Sequence, residues 1–370
     1  GLLVHLVLKQ RRHIHEMTEM TDVGYYRLFG AGGSPYSVKV RSYLLYKRIQ
    51  HQWLVRNSAE RMQEHQKYAK LPLVPTLVTP EGKGLQDSTP IIEQLEVQFP
   101  ERSIYPSCAV GKFMSQLLEE FGDEWGNKWM MHYRWYGSFT EMSAEVTARR
   151  TAAEFCSGSP DPEAASVMAA SFKKRMLDRG FTVGSNAETA PIIEKSYLDT
   201  LQHLEKHLGG PHPRPFLFGK SPSLADFGLA GQLYQCFLDV EAGVLMRLYA
   251  PHVALWCEVM ANPHEEGPFE DWETLAPTLE PLIASQVKLF LRWSDANAKA
   301  LDAKKKDFVV DLGDGQVWSQ SVGGPQRYHA KSLKELRRKF SALDSERQEV
   351  EAVLQRCGCL ELLMELSSKL

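Results

Sequence analysis

The chain has 370 residues, 43% apolar and 24% charged, with a formal net charge of −3, which allows two or three domains and a sizeable core. That balance gives no overall electrostatic attraction to nucleic acid or an anionic membrane, and no run approaches the ~20 apolar residues of a spanning helix. Six cysteines, at 108, 156, 236, 257, 357 and 359, lack C-x-x-C spacing and suit a reducing compartment.

In chain order, Gly1 to Leu8 is apolar and is followed by Lys9, Arg11 and Arg12, the reverse of a secretory leader. Residues 1–23 therefore read as an N-terminal arm, with the remnant of an organelle-targeting extension as the alternative. Tyr25 to Phe29 predicts a strand, and Gly30-Ala31-Gly32-Gly33 a turn. Ser34-Pro35 then opens a helix, Ser as N-cap and Pro at the first position. Gln52 to Arg56 predicts a second strand, parallel to the first through the helical crossover, and 57–70 carries a weak helical pattern. Leu71 to Val78 reads as a strand with two prolines at its entry, reversed by Pro80 to Gly84 into an antiparallel strand at Leu85-Gln86. Asp87-Ser88-Thr89-Pro90 predicts the cap of a helix over Ile91 to Phe99.

Three features of this βαβ–ββα unit, in order within about 60 residues, carry a resemblance: Ser34-Pro35-Tyr36-Ser37, Val74-Pro75-Thr76-Leu77 and Gln86-Asp87-Ser88. The unit resembles the thioredoxin-like N-terminal domain of the glutathione transferases, in particular the serine-type, tau- or omega-like members. Tyr36 stands where those members place Phe, and Asp87-Ser88 replaces the usual Glu-Ser pair.

Beyond it, Phe121, Trp125, Trp129 and Tyr133 recur every fourth residue on one helix face of the stretch Phe113 to Tyr136. By the resemblance this region borders the electrophile pocket; the alternative is a packed helix interface. Ser157 to Glu163 reads as a loop, and Phe172 to Leu177 and Ile192 to Leu208 as helices, the latter stopped by Gly209-Gly210-Pro211. Ser223-Leu224-Ala225-Asp226 has capping-box spacing and resembles the box that opens the buried central helix of the transferase helical domain. Its Asp226 reads as structural, not catalytic. Pro251 to Pro263 resembles the helix that follows. Phe308 to Val310 and Gln316 to Trp318 flank a hairpin turn at Leu312-Gly313-Asp314-Gly315. Helices at about His329 to Leu343 and Glu346 to Cys357 follow, the first basic through Lys331, Lys334, Arg337, Arg338 and Lys339. Those charges read as a solvated face, with an anionic partner as the alternative. Cys357-Gly358-Cys359 reads as small residues closing a helix, with a redox or metal pair as the alternative.

The expected fold is α+β: an arm (1–23), a thioredoxin-like glutathione-binding domain (24–106), an all-α transferase domain (107–298) and a hairpin-and-helix extension (299–370). The resemblance implies glutathione as co-substrate. Ser34 would donate to the glutathione sulfur at a helix N-terminus that favours the thiolate, with Tyr36 and Ser37 as lesser candidates. Val74 would pair its backbone with the cysteinyl unit, ahead of a cis Pro75. Ser88 would meet the γ-glutamyl carboxylate and Asp87 the γ-glutamyl ammonium, while Lys67 and Lys70 are candidates for the glycine carboxylate. The partners implied are an electrophilic small molecule and a second copy of the chain, in the cytoplasm or alternatively an organelle such as the mitochondrion. No metal is expected, since His13, His15 and His212 lack companions at ligand spacing. A different class of function stays open: a non-catalytic interaction module or subunit of a larger assembly on the same fold.

Overall fold

A computed structural model describes residues 24–137, 139–157, 161–179, 183–320, 324–344 and 346–364; the N-terminal arm lies outside them. The first unit is a sheet of β1 (Tyr26–Phe29), β2 (His51–Leu54), β3 (Thr76–Val78) and β4 (Gly84–Gln86), in the order β2-β1-β3-β4. β1 and β2 are parallel, as a strand–helix–strand crossover requires, while β3 runs antiparallel to both β1 and β4. The two-residue period of the strands sorts the side chains. Leu28, Leu77 and Leu85 join the main core, with Val40, Tyr43 and Leu44 of α1 (Pro35–Tyr46) and Ile91, Ile92 and Leu95 of α3 (Ser88–Gln98). Phe29, Leu54 and Val78 face the other way, where Tyr68 and the His65 ring of α2 (Ala59–Tyr68) cover them.

The strand expected over Leu71 to Val78 pairs only from Thr76. Prolines at 72 and 75 have no N–H to give a ladder, and the Val74–Pro75 bond is cis. The Gln86 amide takes over that edge: its Oε1 accepts from Leu71 N at 3.0 Å and its Nε2 donates to Leu71 O at 2.8 Å. Asp87 does not cap the helix after it. Helix α3 starts at Ser88, Asp87 makes no side-chain cap bond, and its φ is +83°.

The helical part is organised on α4 (Ala109–Trp135), against which α8 (Leu224–Leu238) crosses. Glycines let the backbones approach: a Cβ on Gly228 would stand 2.8 Å from Glu119 Cα, and one on Gly122 would stand 2.8 Å from Leu229 N. The capping box at the start of α8 is present. The Asp226 carboxylate accepts from Ser223 N and Leu217 N, each at 2.8 Å, and from Trp256 Nε1 at 3.0 Å, so it is structural, as expected. Phe121, Trp125, Trp129 and Tyr133 are fully packed, and Trp125 and Trp129 both donate to Ser196 Oγ on α7 (Ala190–Gly209), at 2.8 and 2.7 Å. The packed interface is therefore the correct reading of that face. Helices α5 (Thr140–Phe155), α6 (Pro162–Leu177), α9 (Val240–Tyr249) and α10 (Pro251–Val259) complete this part. The helix expected from Phe172 starts ten residues earlier, at Pro162.

Beyond them, α11 (Trp272–Leu282) runs through a π turn at Ile283–Val287 into α12 (Lys288–Asp302). The hairpin β5 (Phe308–Gly313) and β6 (Gln316–Gln320) forms as expected, with Gly313, Asp314 and Gly315 at positive φ. Helices α13 (Arg327–Ser341), α14 (Arg347–Arg356) and α15 (Leu360–Leu363) follow. The hairpin is welded to α4 and α12 by a buried cation. Lys128 Nζ lies 3.8, 5.1 and 5.4 Å from the ring centroids of Trp293, Trp318 and Trp125 and donates to Val183 O at 3.1 Å. Burial pushes this ammonium down to about 7 against the pull of Glu124, and the three indole faces favour its charged form. Cys357 and Cys359 are buried small residues beside α11 and the π turn, their thiols pushed up by burial to about 12.

Candidate functional site

Strand register gathers the residues that the sequence scatters. Phe29 is the partner of Thr76 on β3, and Thr76 is in turn the partner of Gln86 on β4. Whatever follows Phe29, precedes Thr76 or follows Gln86 must therefore emerge at one end of the sheet. Those segments are the glycine turn with Ser34, the Val74–Pro75 pair and Asp87-Ser88.

Ser34 is the N-cap of α1, with extended backbone and its Oγ accepting from Ser37 N at 3.3 Å. Capping uses a lone pair, so the hydroxyl proton stays available to a second partner. The turn before it is clamped by side chains of the helical part. Glu154 of α5 accepts the Gly32 N–H at 2.8 and 2.9 Å, Gln235 of α8 donates to Gly32 O at 3.0 Å, and Arg134 of α4 donates to Gly33 O at 3.0 Å. Arg134 is held in turn by Gln235 Oε1 at 2.8 Å and Asp239 at 3.3 Å. None of these clamps was visible in the sequence, where no local pattern joins residues about 100 or 200 positions apart. A cavity of about 370 Å³ opens beside the turn, lined by Gly32, Gly33, Val38, Arg41, Arg150 and Tyr234 among others.

Tyr36 and Ser37 stand differently. The Tyr36 hydroxyl donates to Asp123 O at 3.0 Å and is held well above its ordinary range by burial and by Glu124 and Asp123. Ser37 is fully buried and its Oγ makes no hydrogen bond. Behind them Lys39 is buried between α1 and α4, with its Nζ 2.5 Å from both Glu119 and Asp123 and 3.0 Å from Thr89 Oγ1. Burial raises Asp123 to about 8, although Lys39 pulls it down. The unit that carries Ser34 is thus locked to α4 by charge-assisted bonds made away from water, which are stronger than exposed ones. Ser88 is buried at the start of α3, and Lys67 and Lys70 are exposed.

Residues 28–103 match the family model described as "Glutathione S-transferase, N-terminal domain", and residues 187–259 match "Glutathione S-transferase, C-terminal domain". The chain therefore carries matches to both domains of the glutathione S-transferases, in their order along the chain. The transferase models leave out α4 to α6 and everything from residue 260 onward. Solved glutathione S-transferases similar to this chain include one from Methylobacterium radiotolerans in complex with glutathione sulfonate. It is 17% identical, with 67% of this chain and 99% of that one covered and a TM-score of 0.37. Another, from Methylobacillus flagellatus with glutathione bound, is 19% identical, with coverage of 63% and 93% and a TM-score of 0.37. A tau-class enzyme from mango, Mangifera indica, is 18% identical, with coverage of 70% and 98% and a TM-score of 0.36. No curated protein matches.

No group of three or more metal-ligating side chains is found among the described residues, and no helix among them is long and apolar enough to cross a membrane. Sequence reasoning missed one residue at this sheet end, Tyr328 of α13. Its hydroxyl donates to both carboxylate oxygens of Asp87, at 2.8 and 2.9 Å.

Proposed function

We propose that the protein is a serine-type glutathione transferase that binds glutathione at the sheet end and activates its thiol for attack on an electrophilic small molecule. The observation that carries this reading is the register that brings Ser34, Val74–Pro75 and Asp87-Ser88 to one edge, beneath a turn fixed from three helices. In this reading Ser34 donates to the sulfur, Val74 pairs with the cysteinyl backbone, Ser88 takes the γ-glutamyl carboxylate and Asp87 the ammonium. Tyr36 and Ser37 build the wall and do not touch the thiol. The electrophile enters the cavity beside Gly32 and Gly33, where Arg41 and Arg150 favour a substrate carrying negative charge. The reaction suits a reducing compartment such as the cytoplasm, and an assembly of two chains belongs to the same reading.

The thiolate is the nucleophile, and a free thiol has a pKa near 8.5. One hydrogen bond to a charged acceptor is worth ~1.5–3 kcal/mol, or roughly one to two pKa units. Calorimetric titration with reduced glutathione tests the binding: micromolar to millimolar affinity is expected, and a folded protein with no heat of binding would sink the proposal. Ser34→Ala is expected to move the ultraviolet thiolate titration of bound glutathione upward by about one to two units and to slow conjugation about ten- to a hundredfold. An unchanged titration removes Ser34 from this role.

A further inference from the structure

Asp87 sits at the head of α3 in a backbone conformation that L-residues rarely adopt, and it contributes no cap bond. Its carboxylate is instead bound by a residue 241 positions away, Tyr328, at 2.8 and 2.9 Å. A phenol has a single proton to share, so this contact fixes the plane of the carboxylate while lone pairs on both oxygens remain open to another donor. Burial and the Asp87 and Glu124 charges hold the Tyr328 hydroxyl well above its ordinary range, so it stays a donor.

The helix that carries Tyr328 is anchored at its start and along its length. The Asn297 side chain bonds Gln326 N and O, at 2.6 and 2.9 Å, just ahead of α13. Along the helix, Ser332 bonds Glu120, Lys339 Nζ lies 2.5 Å from Glu93, and the Phe340 ring lies 5.5 Å from Phe113. Between α3, α4 and α13 lies a cavity of about 520 Å³, bounded by Asp87, Thr89, Glu120, Tyr328 and Lys331 among others. There is room there for a polar group to reach Asp87.

We infer that Tyr328 is a positioning residue: the C-terminal extension completes the glutathione site within one chain by orienting the Asp87 carboxylate toward the ligand's α-ammonium group. This inference rests on the glutathione reading above. A hydroxyl that merely blocked Asp87 would act in the opposite direction, and the two can be told apart by binding.

The test is a set of calorimetric titrations of the whole chain and its Tyr328→Phe variant. The ligands are glutathione and its analogue with hydrogen in place of the glutamyl α-amino group. The unsubstituted chain should bind glutathione at least about tenfold more tightly than the analogue, the scale of one charge-assisted hydrogen bond. In Tyr328→Phe the preference should fall to about two- to threefold, with the analogue's affinity unchanged. Asp87→Asn should abolish the preference, which identifies the carboxylate as its source. An equal loss for both ligands would mean a merely structural role, and tighter glutathione binding by Tyr328→Phe would mean a block; an undiminished preference also overturns the inference. Failure of the unsubstituted chain to bind glutathione would instead overturn the glutathione reading itself, and the inference with it.

Discussion

His207 is fully buried on α7, with Nδ1 2.7 Å from Thr278 Oγ1 and Nε2 2.9 Å from Leu217 O. Burial pushes it down to about 4, against about 6.5 in an unfolded chain. Between those values the unfolded state binds the extra proton. The stability His207 contributes is therefore complete above about pH 6.5 and is lost as pH falls through about 4, amounting to roughly 3 kcal/mol. Urea unfolding at pH 7, 5.5 and 4.5 should show this acid slope, and His207→Gln should flatten it; parallel slopes would refute the assignment. At the candidate site, Ser34, Val74 and Ser88 could be named from the sequence because each sits beside a turn, cap or proline that announces itself. Tyr328 could not. It stands in the first turn of a basic helix, in no motif, and only tertiary packing brings it to Asp87. The basic residues of that helix are likewise divided by packing. Arg337 Nη2 bonds Asp295 and Leu362 O, each at 2.7 Å, and Lys339 reaches Glu93, whereas Lys331 and Lys334 are exposed.

Among the elements, the crossing of α4 and α8 depends on two hydrogen atoms where other residues carry a side chain. Gly228→Ala places a methyl 2.7 to 3.0 Å from Glu119 Cγ, Cα and O. Backbone atoms cannot swing aside as a side-chain tip can, so the helices must separate. The expected cost is about 1–3 kcal/mol, measured as a lower urea midpoint with unchanged slope; a midpoint equal to that of the unsubstituted chain would count against it. Elements bounded by strong punctuation were legible in the sequence, among them β1, β4, α7, α8 and the hairpin. Helix α5 was not, because its buried face is made of Ala144, Ala148 and Ala152, the last two packed on Ala169 of α6. Small residues bury well but leave little hydrophobic periodicity to read. For the opposite reason the aromatic face of α4 suggested a pocket and proved to be core.

At the scale of the whole molecule, the extension is a third layer joined to the helical part by the three-tryptophan enclosure of Lys128 and by the contacts of α13. Trp318→Ala removes one wall of that enclosure and opens the ammonium toward water. The expected loss is about 3–5 kcal/mol, together with rapid trypsin cleavage at the exposed Lys304, Lys305 and Lys306; retained protease resistance would show that the helices α13 to α15 hold the extension without the enclosure. The Tyr328–Asp87 contact also has a consequence in time. A ribosome adds about 5–20 residues per second, so an interval of 241 residues means that Asp87 leaves the exit tunnel roughly 12 to 48 seconds before its partner. Until the extension is made, Phe113, Glu120 and Trp125 of α4 lack the Phe340, Ser332 and Trp318 that cover them in the folded chain. The nascent chain is then a better client for holdase chaperones than the finished protein, and a message that stops short of α13 yields a product for quality control to remove.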